Sequence, residues 1–277
     1  MVWFDHVPPK TKFTLILWHV LLIILDVEMI AILVALFFIS ILYSSVGHGG
    51  ASGYLAILSL TTFATMSDVW LKQHAWMLNL VVAAIAFYHY NKQGFHDISL
   101  TKPFIIASIP MALLAGTMKI NGDIYDILLS FTLIWAAVKI ITFQNNDAVK
   151  VSNPTYKQAF LWGGGIGFFS GIIGVGGGIF LSPVLLLKRW ADVKTAAATA
   201  AVFIFLNSLA GLTGNFITGQ NELDLSLLFS FTIVVLIGGF IGSLYGSKFA
   251  SQKHVRTMLV IVLVVAAIKR VYELLGF

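Results

Sequence analysis

A chain of 277 residues that is 58% hydrophobic and only 10% charged falls well short of the roughly 25% charge usual in soluble domains, so it is read as an all-α polytopic membrane protein. Its net charge of +5 would suggest nucleic acid in a soluble protein, but here the basic residues lie in loops between apolar segments and report orientation in a lipid bilayer instead. Cysteine is absent, which excludes disulfides, thiolate metal sites and cysteine nucleophiles.

In chain order, residues 1–28 form a tail and one extra N-terminal helix. Lys10 and Lys12 precede an apolar run from Phe13 to Leu25 that resembles a signal peptide but lacks a small-x-small cleavage site before Asp26 and Glu28, so its retention is expected. Apolar segments follow at 29–46, 54–66, 74–91, 102–118 and 124–143, and then, after a polar connector at 144–156, at 157–173, 178–188, 195–218, 225–247 and 255–274. The ten divide into two repeats of five, 29–143 and 157–277. Gly47, Gly49 and Gly50 answer to Gly174, Gly176 and Gly177; Asn79 answers to Asn207; and Ala115-Gly116-Thr117 answers to Ile241-Gly242-Ser243, at offsets near 127 residues. Such a long period suits a duplicated half rather than a solenoid.

Five segments per half would invert the second copy, and the charges test this. With the N-terminus inside and each glycine-containing pair of segments returning to its starting side, the inner side holds twelve Lys and Arg residues and the outer side four. That bias favours the inverted arrangement, with the connector inside and the C-terminus outside. Whether each pair is a re-entrant hairpin or two full spans stays open.

The chemistry is expected at the two glycine runs, Tyr43-Ser-Ser-Val-Gly-His-Gly-Gly-Ala-Ser-Gly-Tyr54 and Ser170-Gly-Ile-Ile-Gly-Val-Gly-Gly-Gly-Ile-Phe-Leu181. Glycine at this density breaks a helix and frees backbone N–H and C=O groups, which lipid tolerates only where protein buries them or where they line a cavity. Matching breaks in two halves point to a transporter's substrate site. A dinucleotide fingerprint is rejected, because Ile179 stands where its third glycine belongs and no strand precedes the run. Close helix packing explains the four-residue series Gly163, Gly167, Gly171 and Gly238, Gly242, Gly246, but not consecutive glycines.

A short segment after each run would present an N-terminus with unpaired N–H groups and a partial positive charge. Neither run contains Asp or Glu, so the expected ligand is a small anion rather than a metal ion. The candidate binding residues are Gly47, His48, Gly49, Gly50, Ser52, Gly174, Gly176, Gly177 and Gly178, with Asn79 and Asn207 supporting the loops from symmetric positions. His48, the only ionisable side chain in either run, is either a proton-coupling or anion-binding group or a neutral loop pin. His74 is read as a gate or an interface residue, and His89, between Tyr88 and Tyr90, as part of an aromatic belt. Neither H-E-x-x-H nor G-x-S-x-G occurs, so no enzyme activity, cofactor or metal is expected.

The paired Gly-x-Gly-Gly loops, Ser182-Pro183 after the second, and Lys194-Thr-Ala-Ala-Ala-Thr-Ala200 resemble the sulfite exporter TauE/SafE family, also called the 4-toluene sulfonate uptake permease family. The resemblance implies a multi-pass carrier of the cell inner membrane that moves sulfite, sulfonates or related organosulfur anions. The first run departs from the family pattern with His48 and Ala51, which bears on the substrate more than on the fold. The expected function is therefore a secondary transporter of a small anion working by alternating access, with an anion channel or a small-carboxylate transporter as alternatives. Lipid and a small anion are the expected partners and nucleic acid is not; a coupling proton and homo-oligomers stay open.

Overall fold

The computed structural model describes residues 27–118, residue 138 and residues 151–274. The expected extra helix, the 124–143 segment apart from residue 138, and most of the connector lie outside the described residues. Within them the chain is helical: α1 Val27–Ser44, α2 Ala51–Ser59, a 3₁₀ turn Thr62–Thr65, α3 Asp68–Lys92, α4 Ile98–Gly116, α5 Tyr156–Ile173, α6 Gly178–Leu187, α7 Val193–Ile217, α8 Leu225–Leu244 running into a π turn Tyr245–Phe249, and α9 Gln252–Leu274. Five stretches among the described residues are long and apolar enough to cross a membrane: Val27–Ser44, Asp68–Lys92, Ile98–Gly116, Val193–Ile217 and Leu225–Phe249.

The longer helices start where polar side chains satisfy their first N–H groups. Ser67 caps α3, Asp97 caps α4, Asp192 caps α7 and Asp224 caps α8, while Thr155 and Gln158 form a capping box on α5. Helix α3 therefore begins six residues before the apolar segment at 74–91, because Ser67 Oγ accepts the Trp70 N–H at 3.1 Å and draws Asp68, Lys72 and Gln73 into the helix.

Small residues set the packing. A Cβ at Gly163, Gly167 or Gly171 would run into the backbone of Phe104, Ser108 or Ala112, so α5 lies directly against α4. Gly238, Gly242 and Gly246 bring α8 and its π turn equally close to Phe37, Ile41 and Ser45. Both glycine series serve the close helix contact their spacing implies. Helix α7 packs against α3 and α4, and α3 against α8.

Besides those at the glycine loops, polar contacts gather at two ends of the molecule. At one end Thr62 N–H donates to the Glu28 carboxylate at 2.8 Å, Ser67 bonds Glu222, and Asn215 Nδ2 donates to the Gly116 carbonyl at 2.6 Å. At the other end Ser152 N–H donates to the Arg189 carbonyl at 3.0 Å, Gln252 bonds Asp192, and Lys194 Nζ donates to the Ser247 carbonyl at 3.0 Å. Helix α3 runs from the first end to the second. The α1–α2 pair thus closes on itself at the first end and the α5–α6 pair at the second. Lys92, Lys102, Lys157, Lys188, Arg189, Lys194, Lys248, Lys253 and Arg256 all belong to helix ends and loops at the second end.

Candidate functional site

Two short helices differ from all the capped ones. Gly50, at φ 99°, precedes α2, and Gly177, at φ 85°, precedes α6; neither helix start receives a side-chain cap from that position. Only glycine holds such a left-handed conformation without steric cost. At 9 and 10 residues, these helices are about 14–15 Å long, half of what a span requires.

The chain reaches these helices through tight turns. After α1, His48 N–H returns to the Tyr43 carbonyl at 2.9 Å and Gly47 N–H to the Ser44 carbonyl at 3.0 Å. After α5, the N–H groups of Gly174 and Val175 return to the Ser170 carbonyl at 2.9 and 3.3 Å. Ala51 N–H is taken by Asn79 Oδ1 at 3.1 Å. Among the described residues, the N–H groups of Gly49, Gly50, Ser52, Gly176, Gly177 and Ile179 have no hydrogen-bond partner. A cluster of unpaired donors at two helix starts is what an oxyanion requires.

The two loops meet. His48 Nε2 and Ser182 Oγ, the latter on α6, are 2.9 Å apart. Asn79 touches both loops: besides holding Ala51, its Nδ2 donates to Ser208 Oγ at 2.9 Å and to the Val175 carbonyl at 3.5 Å. A Cβ on Gly49 would collide with the Asn79 carboxamide, and one on Gly176 would meet the same carboxamide from the other side. Tyr43 Oη pairs with Ser52 Oγ at 3.0 Å.

Between the loops lies a cavity of about 10 Å³, bounded by Tyr43 and His48 to Ser52 from the first hairpin and by Val175, Ile179 and Ile204 from the second half. That is the room of about one water, so a larger ligand enters only after the walls move. No acidic side chain borders it. His48 Nδ1 and Tyr54 Oη are buried without hydrogen-bond partners among the described residues.

The sequence-predicted residues divide. His48, Gly49, Gly50 and Ser52 line the cavity, whereas Gly47, Gly174, Gly176, Gly177 and Gly178 build the surrounding turns. Asn79 ties the loops, but Asn207, expected to do the same, donates Nδ2 to its own helix at the Phe203 carbonyl (2.9 Å) and leaves a buried Oδ1 unpaired. The symmetry expected of the two asparagines fails because Asn79 faces Ser208 and both loops while Asn207 finds a local acceptor first. His89 also departs from expectation: it is buried, with Nδ1 2.7 Å from Ser243 Oγ, while Tyr88 alone is exposed. Tyr43, Ser182 and Ser208 are site residues that sequence reasoning did not single out; Ser182 was quoted only for the proline after it.

A multi-pass helical chain in which two short, glycine-started helices face each other across a buried polar contact is built as a membrane transporter. Residues 32–270 match the sulfite exporter TauE/SafE family. A probable membrane transporter protein of Sinorhizobium fredii is 34% identical over 249 residues, covering 88% of this chain and 99% of that one. A probable membrane transporter protein of Bacillus subtilis is 30% identical over 110 residues (39% of this chain, 38% of that one), and one of Methanocaldococcus jannaschii is 27% identical over 164 residues (56% and 61%). No solved structure matches the chain. The chain belongs to the sulfite exporter TauE/SafE family, and its class is that of a membrane transporter.

Proposed function

We propose that the protein carries a small oxyanion, sulfite or an organosulfonate, across the cell inner membrane by alternating access, with the substrate held between the two glycine loops. One observation carries this reading: two glycine-started helix N-termini meet at one cavity, with unpaired N–H groups on both and no carboxylate beside them. A pyramidal SO₃ group offers three acceptor oxygens to such donors, and the N-terminal dipoles favour its charge. His48 and Ser52 add side-chain donors.

The inverted repeat belongs to the same reading, with units at 29–143 and 157–277 joined by a cytoplasmic connector at 144–156. It is supported by the α1–α2 and α5–α6 pairs closing at opposite ends, and by the basic residues gathered at one end. The cavity of about 10 Å³ favours a carrier over an open channel, since the hairpins must separate to admit an anion. A proton is the coupling ion in this scheme, and self-association is compatible with it.

The test is uptake and efflux of labelled sulfite, 4-toluenesulfonate and small carboxylates in proteoliposomes, with and without a proton gradient. Saturable flux of an SO₃-bearing anion supports the proposal. Unsaturable flux identifies a channel, carboxylate flux alone moves the substrate class, and no flux of any anion overturns the reading.

A further inference from the structure

Away from the loops, at the end where α3 begins, a second polar cluster ties the α7–α8 connector to α3. Gln73 and His74, both fully buried, hold consecutive parts of it. Gln73 Nε2 donates to the Gln220 carbonyl at 2.7 Å and to Asn215 Oδ1 at 3.3 Å, and its Oε1 accepts the Glu222 N–H at 2.9 Å. His74 Nε2 accepts the Asp224 N–H at 3.1 Å, and His74 Nδ1 lies 2.8 Å from the Trp70 carbonyl. Its ring stacks on Trp70 at 3.8 Å.

The partners fix the tautomer. A carbonyl oxygen only accepts, so Nδ1 carries the hydrogen; a backbone N–H only donates, so Nε2 offers its lone pair. That lone pair is also the only place a further proton can bind. A proton on Nε2 would set N–H against N–H and expel the Asp224 amide. We propose that His74 is a proton-binding site, and that the proton competes there with the α7–α8 connector, so that acid on that side of the membrane unlatches it. The proposal goes beyond the anion reading and does not depend on it.

Among the described residues, the charged groups at this end are Asp224 and Glu222 from the connector, Asp68 and Lys72 from the first turns of α3, and Glu28 at the start of α1, which accepts the Thr62 N–H. Asp224 does two separable jobs. Its amide latches to His74, while its carboxylate caps α8 through the Ser226 and Leu227 N–H groups at 3.0 and 3.1 Å. Unlatching therefore leaves α8 capped and the connector still tied through Gln73 at Gln220 and Glu222, and frees only its Asp224 end, next to α7, the helix that brings Ile204 and Ser208 to the loops.

Because one proton and one amide share one lone pair, latch strength falls by at most tenfold per pH unit once the proton competes. Hydrogen exchange of the Asp224 amide in the purified full chain, corrected for intrinsic rate, reads this directly between pH 8 and pH 5. Protection of Asp224 should be high at pH 8 and lower at pH 5, while Ser226 and Leu227 stay protected; in His74→Gln the Asp224 amide should show no such loss. Equal Asp224 protection at pH 5 and pH 8, or the same drop in His74→Gln, overturns the proposal. Should His74→Gln not fold, ¹⁵N-histidine spectra of the parent decide: Nε2 must be unprotonated at pH 8 and gain its proton in step with the loss of protection, and a protonated Nε2 at pH 8 refutes it.

Discussion

The loops after α1 and α5 carry the same glycine pattern but are held in different ways. The first is tied by side chains: His48 to Ser182, Tyr43 to Ser52, and Asn79 to Ala51. The second offers Val175 where the first has His48, and its own asparagine, Asn207, bonds only to Phe203. Gly177 is enclosed instead by Phe203 and Ile166. A repeated backbone therefore need not repeat its restraints. Here one loop is pinned mainly by hydrogen bonds and the other mainly by packing, and Asn79 hydrogen-bonds to both.

The most severe way to break this comparison is at Gly47. Its φ is 74°, and a Cβ there would be driven into the Ala197 carbonyl, which is backbone and cannot yield. Gly47→Ala should abolish the folded protein. Gly94→Ala is the control: at φ 78° with nothing nearby, it should cost only the left-handed strain, about 1–2 kcal/mol. Thermal melting of the two variants separates clash from conformational strain.

Next come the asparagines. Asn79→Leu strands the Ala51 N–H and should cost about 1–3 kcal/mol, with most transport lost. Asn207→Leu gives up one local bond and removes an unpaired oxygen, so its stability should stay close to the parent's. Equal losses in melting temperature and flux would contradict the asymmetry. A smaller effect is expected at Ser182→Ala, which removes the partner of His48; a loss of about 1 kcal/mol should appear there and not at Val175→Ala.

The smallest expected effect lies outside both loops. His96, between α3 and α4, is held below the ordinary imidazole value by burial, with Asp97 pulling it the other way. The unfolded chain thus takes its proton first, at about pH 6.5, so this contribution is present above that pH and is lost as pH falls toward the lower folded value. The parent should melt lower at pH 5 than at pH 7, and His96→Gln should reduce the difference.

Much of the architecture was legible because lipid leaves few options. Dense glycine inside apolar segments frees backbone groups that need a protein-lined site, and the positions so marked, His48 to Gly50 and Ser52, border the cavity. The start of α3 was missed because hydropathy discounts Asp68, Lys72 and Gln73, although Ser67 was there as a cap. The His48–Ser182 contact spans 134 residues, and no local pattern announces it. Nor does the repeat reveal that Asn79 faces Ser208 whereas Asn207 turns to its own helix, since that choice is made by packing between α3 and α7. The four-residue glycine series were readable because a bare helix face has one common use, close approach to another helix.

The central claim, that an oxyanion sits between the loops, is tested most directly by filling the cavity. Ile179 lines it from α6, and Ile179→Trp adds bulk there without removing a hydrogen bond. Binding of sulfite and 4-toluenesulfonate to purified protein should be saturable in the parent and absent in Ile179→Trp, with Ile204→Phe as the milder substitution should the first not fold. A folded Ile179→Trp or Ile204→Phe protein that binds either anion as tightly as the parent would place the site elsewhere.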